Sequence, residues 1–210
     1  LLTQMGAVIS GTGTQVIKIH GVEKLNGCEI SLPSDRIEAG TFAIAAALTA
    51  GNVTIENTPV EHLDSLFSKL IDCGANLEVS GKEITVSRDT ALLPVNFQSL
   101  PYPGMPTDLQ APMATLLTQA AGVSIVQERV FENRMLYVNE LRKMGADIVI
   151  AGTSAIISGP STLSGAKVTA LDVRAGAAVL LAALSATGTS VITEIQHLDR
   201  KYDNLQSKFE

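Results

Sequence analysis

One pattern constrains this chain more than any other: a two-part signal that returns three times, at a spacing of roughly 70 residues. The first part is a Gly-Ala pair with two apolar runs behind it. Met5-Gly6-Ala7-Val8-Ile9 leads to Gly13 and Val16-Ile17-Lys18-Ile19. Cys73-Gly74-Ala75-Asn76-Leu77 leads to Gly81 and Glu83-Ile84-Thr85-Val86, and Met144-Gly145-Ala146-Asp147-Ile148 leads to Gly152 and Ala155-Ile156-Ile157. Each copy predicts a glycine that ends a helix, a strand, a Gly-containing turn and a second strand pairing back. The second part keeps step with the first. Gly51-Asn52-Val53-Thr54-Ile55, Gly122-Val123-Ser124-Ile125-Val126 and Gly188-Thr189-Ser190-Val191-Ile192 each close a helix and open a β-branched strand.

The repeating unit therefore reads β-α-β-α-β-β. Its first helix (Gly40–Ala50, Leu109–Ala121, Ala175–Thr187) is apolar almost all round, which predicts burial on every side. Its second is amphipathic, with Leu63, Leu66, Phe67 and Leu70 on one face in one copy and Met135, Val138, Leu141 and Met144 in the next. Several buried helices need sheets outside them. The expected fold class is α/β (α+β by some schemes): an inside-out α/β barrel with helices buried and sheets outside. Full copies span about 28–89 and 90–163, and an incomplete one spans 164–210. Residues 1–26 read as the tail of a preceding domain's last repeat plus a crossover, and 27–210 as the domain proper. The last copy stops inside its second helix, as a piece of a longer protein does.

Composition narrows the function. Of 210 residues 46% are apolar and only 17% charged, enough for a sizeable core and too little charge for disorder. A net charge of −6 disfavours a general role on nucleic acid or anionic membranes. The two cysteines, Cys28 and Cys73, form no CxxC motif, and each reads as a small packed residue. His20, His62 and His197 lack metal-ligand spacing. No signal peptide is visible, and the longest apolar runs, near Ala43–Leu48 and Ala177–Leu184, fall well short of the ~20 residues that span a bilayer. A cytoplasmic protein is the expectation.

Chemistry enters where the repeats differ. At one offset before the glycines at 51, 122 and 188 lie Ile37, Asp108 and Arg174; at one offset after them lie Leu63, Arg134 and Arg200. Positions that are apolar in one copy and charged in the next two are what a site grafted on a repeat shows. Asp35, Asp108 and Asp172 fall at the starts of the buried helices, whose N-termini offer N–H donors to an anion. Two readings stand for each. Asp108, after the stiff Tyr102-Pro103-Gly104-Met105-Pro106 loop, is an N-cap or a general base. The arginines are solvated helix ends paired with Glu132 or Asp199, or bidentate ligands for phosphate and carboxylate. A catalyst, an anion-binding module and a structural repeat protein all remain open on these residues alone.

Four ordered motifs then add a resemblance. Leu32-Pro33-Ser34-Asp35-Arg36-Ile37-Glu38-Ala39-Gly40-Thr41, Tyr102-Pro103-Gly104-Met105-Pro106-Thr107-Asp108-Leu109-Gln110, Phe131-Glu132-Asn133-Arg134-Met135 and His197-Leu198-Asp199-Arg200 resemble the UDP-N-acetylglucosamine enolpyruvyl transferases. Where the sibling shikimate-pathway enzymes are expected to carry Lys-Glu-(Ser/Thr)-Asp-Arg, this chain has Phe-Glu-Asn-Arg. The resemblance implies two similar domains, each of three β-α-β-α-β-β units, with substrates between them. It implies transfer of enolpyruvyl from phosphoenolpyruvate to the sugar 3-hydroxyl, by addition and then elimination of phosphate, in the first committed step of bacterial peptidoglycan synthesis. Neither cofactor nor metal is implied. By motif, Asp108 matches the carboxylate that contacts the sugar hydroxyl and serves as its base. Val130 matches a backbone contact to the sugar nucleotide, with Phe131 beside it. Arg134, Arg174 and Arg200 match arginines on the phosphoenolpyruvate side, Asp172 and His197 lie near that side, and Arg36 is expected at the hinge and closing face. The family's cysteine acid and phosphoenolpyruvate lysine belong to the other domain, absent from this sequence, so the chain is expected to be half an active site and inactive alone.

Overall fold

A hairpin opens the chain. Strand β1 (Val8–Ser10) pairs antiparallel with β2 (Lys18–His20), Ile9 opposite Ile19. Between them Gly11 sits at φ +79°, and a Cβ there would lie 2.2 Å from the Val16 carbonyl oxygen, so only glycine fits the turn. The computed structural model describes residues 1–208 and falls into two units, Leu1–Pro33 and a larger one from Ser34 onward. Residues 28–32, the expected first strand of the first copy, form no strand. An extended segment satisfies its backbone groups through a neighbouring ladder, and these residues make none.

The larger unit begins with α1 (Arg36–Leu48), β3 (Asn52–Ile55), α2 (Asp64–Asp72), β4 (Asn76–Ser80) and β5 (Glu83–Ser87). The second copy supplies β6 (Phe97–Ser99), α3 (Gln110–Leu117), β7 (Gly122–Glu128), α4 (Tyr137–Lys143), β8 (Asp147–Ala151) and β9 (Ser154–Gly159). The third supplies β10 (Lys167–Thr169), α5 (Val173–Ser185), β11 (Val191–Thr193) and the short α6 (Gln196–Asp199). The second copy alone shows the whole expected sheet, in the order β6-β7-β9-β8, with β6 and β7 parallel and the rest antiparallel. The first copy gives β3-β5-β4, and the third gives the parallel pair β10-β11. The expected second helix of the third copy is reduced to α6, turns and a 3-10 turn at Gln206–Lys208; Phe209 and Glu210 lie outside the described residues.

Helices α1, α3 and α5 pack on one another, and each also packs against the sheet of its own copy. Small side chains make this possible: Ala43, Ala46, Ala47, Ala111, Ala114, Ala177, Ala178 and Ala182 are buried at the helix surfaces. Gly40 marks the closest approach, for a Cβ there would lie 2.6 Å from Leu109 Cδ1 and 3.0 Å from Leu66 Cδ2. Strands alternate as half-buried strands do, with Ile84 and Val86 of β5 inside and the outer faces in solvent. Every apolar residue expected on α2 and α4 is buried. The cysteines divide. Cys73 is packed in the core, where burial, with Asp72 adding to it, pushes its thiol up to about 12. Cys28 is exposed, against the expectation of packing, because its segment joins no sheet.

Candidate functional site

The N-termini of the three buried helices differ in a way that decides what their aspartates do. Asp35 accepts the N–H groups of Ile37 and Glu38 and caps α1; Asp172 accepts those of Arg174 and Ala175 and caps α5. These carboxylates occupy the donors that the sequence offered to an anion. Asp108 is different. The helix begins only at Gln110, and Asp108 sits before it in a 3-10 turn, Thr107–Leu109, whose N-cap is Pro106 and which has no side-chain cap. Of the two readings of Asp108, the N-cap one does not hold, since α3 has no side-chain cap. Proline has fixed φ and no N–H to lose, so the turn starts without a carboxylate, and Asp108 is released from capping.

That carboxylate points to arginines instead. Arg134 Nη1 lies 3.0 Å from Asp108 Oδ1, and Arg174 Nε lies 4.0 Å from the same oxygen. Arg174 Nη2 also donates to Asp172 Oδ2 at 2.7 Å. Among the described residues Asp108 Oδ2 has no partner, and neither has the guanidinium of Arg200. The pairings with Glu132 and Asp199 allowed by the sequence do not form. A pocket of about 310 Å³ joins Asp108, Arg134, Asp172, Arg174 and Arg200, with Lys201, Tyr202 and Ile37 completing its wall. Three arginines against two carboxylates, with Lys201 already paired to Asp35, make it a place for an anion. Burial lowers the pKa of Arg174, Arg134 lowers it further, and Asp172 and Asp108 offset part of that. Arginine stays charged even so, and weak hydration suits it to a phosphate in such a wall.

The other expected residues lie around this centre. Phe131 stacks on Arg134, the guanidinium carbon 4.2 Å from the ring centroid, and so props the arginine toward Asp108. The N–H groups of Val130 and Phe131 donate to Glu128 Oε1 at 2.7 and 3.2 Å. A backbone contact from Val130 to a ligand is thereby left to its carbonyl, which accepts no hydrogen bond among the described residues. His197 is half-buried in α6 and lines no part of the pocket. Arg36 also stays outside it: its guanidinium lies 5.4 Å from the Tyr102 ring centroid, and Tyr102 OH is 3.3 Å from His62 Nδ1. A second hollow runs between α1 and β3, but its one lysine, Lys208, is already paired with Glu38. Among the described residues no group of acids, histidines and cysteines has the arrangement to hold a metal ion, and no helix is long and apolar enough to cross a membrane.

Sequence reasoning missed three residues. Lys201 lines the pocket and pairs with Asp35. Tyr202 is buried behind it, its hydroxyl 3.1 Å from Thr41 Oγ1, and burial raises its pKa to about 12. Glu128 is 3% exposed. A signal for the last was present, because Ser124, Val126 and Glu128 alternate on the inner face of β7 and put a carboxylate where a core residue belongs.

With the geometry in hand, known proteins give it context. A family model described as EPSP synthase (3-phosphoshikimate 1-carboxyvinyltransferase) matches residues 1–209. The chain is 50% identical over 210 residues to UDP-N-acetylglucosamine 1-carboxyvinyltransferase of Desulfosudis oleivorans, covering 100% of this chain and 50% of that relative. It is 50% identical over 208 residues to UDP-N-acetylglucosamine 1-carboxyvinyltransferase 2 of Clostridium acetobutylicum, covering 99% of this chain and 50% of that relative. The chain thus spans about half the length of the curated relatives it matches. Among solved structures, the enolpyruvyl transferase NikO from Streptomyces tendae superposes with a TM-score of 0.89 at 31% identity, over 98% of this chain and 50% of that one. EPSP synthase from Acinetobacter baumannii shares the fold, with a TM-score of 0.69 at 22% identity over 96% of this chain and 50% of that one.

Proposed function

The chain belongs to the EPSP synthase family of enolpyruvyl transferases, and from that premise we propose that it supplies the arginine-lined half of a UDP-N-acetylglucosamine enolpyruvyl transferase site. The 50% identity to relatives bearing that activity in their names favours this acceptor over 3-phosphoshikimate. One observation carries the chemistry. Asp108 is held through Oδ1 by Arg134 and Arg174, while Oδ2 has no partner among the described residues and Arg200 stands unpaired in the same pocket. Oδ2 is the atom that accepts the proton of the sugar 3-hydroxyl as its oxygen bonds to C2 of phosphoenolpyruvate. The π pair of the alkene takes a proton at C3. In the second step the C2–phosphate bond breaks, a C3 proton leaves and the double bond re-forms. Arg134, Arg174 and Arg200 hold the phosphate and carboxylate charges throughout. The Val130 carbonyl and the Phe131 ring face the sugar nucleotide, Asp172 fixes Arg174, and His197 and Arg36 act at the periphery, Arg36 at the closing edge.

The acid that protonates C3 and the wall that excludes water come, in this reading, from the remaining half of a protein of the relatives' length. A domain starting near residue 27, preceded by the tail of that other half, and a cytoplasmic setting belong to the same reading. The test is phosphate release from phosphoenolpyruvate by the full-length protein. Release is expected with UDP-N-acetylglucosamine and not with 3-phosphoshikimate. Release with the shikimate acceptor alone would reassign the substrate, and release with neither would leave an anion-binding module.

A further inference from the structure

Glu128 is a buried carboxylate at the last position of β7, and its two oxygens serve two different loops. Oε2 accepts the Thr107 hydroxyl at 2.7 Å, in the 3-10 turn that carries Asp108. Oε1 accepts the N–H groups of Val130 and Phe131, at the head of the loop that carries Arg134. Its own backbone is fixed, since its N–H donates to the Thr153 carbonyl at 2.9 Å. The ring closes on the far side where Arg134 meets Asp108 at 3.0 Å. The loop that carries Arg134 has no regular structure of its own, and the Asp108 segment is a single 3-10 turn. The turn has no side-chain cap, and in the other loop Asn133 sits at φ 56°, a left-handed conformation that few residues besides glycine and asparagine adopt. A buried carboxylate needs donors, and these two loops provide all three that it has among the described residues.

We infer that Glu128 is a positioning residue that sets the distance between Asp108 and Arg134 by anchoring both of their loops to the end of one strand. Its kinetic effects rest on the enolpyruvyl-transfer reading; the anchoring itself does not. The Oε2 arm acts on Asp108 and hence on kcat, and the Oε1 arm acts on Val130 and Phe131 and hence on the KM for the sugar nucleotide. Glutamine keeps an acceptor for the two N–H groups and turns a donor toward the Thr107 oxygen, so it preserves the anchor without the charge.

The test uses the full-length protein with Glu128→Ala, Glu128→Gln and Thr107→Val. Glu128→Ala is expected to lower kcat and raise the KM for UDP-N-acetylglucosamine, each by about tenfold or more. Glu128→Gln is expected within about threefold of wild type on both, and Thr107→Val is expected to lower kcat with KM within about twofold. Amide exchange at Val130 and Phe131, read without substrate, is expected to quicken about tenfold in Glu128→Ala and to stay near wild type in Glu128→Gln. Equal losses in the alanine and glutamine variants, or wild-type kcat in Thr107→Val, would overturn the inference. Should Glu128→Ala not fold, Thr107→Val and the glutamine rescue decide alone. A wild-type protein inactive toward every acceptor, with the exchange pattern as expected, rejects the substrate assignment and leaves the anchor standing; unchanged exchange in a folded Glu128→Ala rejects the anchor.

Discussion

Asp35 and Asp108 each follow a proline-bearing loop and precede an apolar run, yet they do different work. Asp35 caps α1 and pairs with Lys201. Burial alone would raise its pKa; the Lys201 ammonium and the Ile37 and Glu38 N–H groups outweigh that and hold it below the ordinary aspartate value. A lowered folded value means that Asp35 stabilises the fold above the unfolded value and that this contribution is lost as pH falls through the folded one. Asp35→Asn is therefore expected to lower stability at neutral pH and to narrow its gap from wild type as the pH falls through the carboxylate range, in urea titrations at a series of pH values. A gap that widened toward low pH would contradict the assignment. Asp108 escapes capping because Pro106 starts a 3-10 turn ahead of the helix. Sequence marked the residue but not its release, since an aspartate ahead of an apolar run reads as a cap wherever the helix itself begins. Lys201 stayed hidden because its partner, Asp35, is remote in the chain; the alternation along β7 marked Glu128 but not its bond to Thr107.

At the scale of elements, the repeat was legible because it is written in glycines and β-branched runs, which act locally. The strands after Gly74 and Gly145 are found where the pattern puts them, while β2 falls at Lys18–His20 and leaves Val16 and Ile17 of its run outside the strand. Features that depend on a neighbour were not legible. Residues 28–32 have strand composition and no ladder partner, and the second helix of the third copy shrinks to four residues. The buried helices tolerate little change at their crossing. Gly40→Val is expected to destabilise by about 2 kcal/mol or more, because Leu109 and Leu66 are both fully buried and have nowhere to move. Gly51→Ala, which would meet only ordinary contacts at 3.4 Å and beyond, is expected to change stability by less than about 0.5 kcal/mol. Chemical denaturation of the two variants checks both. Equal stabilities would mean that the helices have room to spare at Gly40.

For the whole molecule, the second and third copies bring two aspartates and three arginines into one pocket, and the first copy contributes Ile37 to its wall. Symmetry of the repeat predicted that convergence, whereas the places of His197 and Arg36 outside it depend on side-chain directions that no periodicity encodes. The chain spans about half the length of its curated relatives. Purified alone, it is expected to release no phosphate from phosphoenolpyruvate and UDP-N-acetylglucosamine above a mock preparation, because a pocket with one wall neither excludes water nor delivers a proton to C3. Turnover by the isolated chain would show that the site is complete within it. The central claim is that Asp108 serves chemistry and not architecture, and turnover of Asp108→Asn in the full-length protein tests it most directly. The amide keeps the shape and the Arg134-facing oxygen but cannot take the hydroxyl proton. A base at this position predicts a loss of at least about 100-fold in kcat with folding stability close to wild type; near-normal turnover would contradict it.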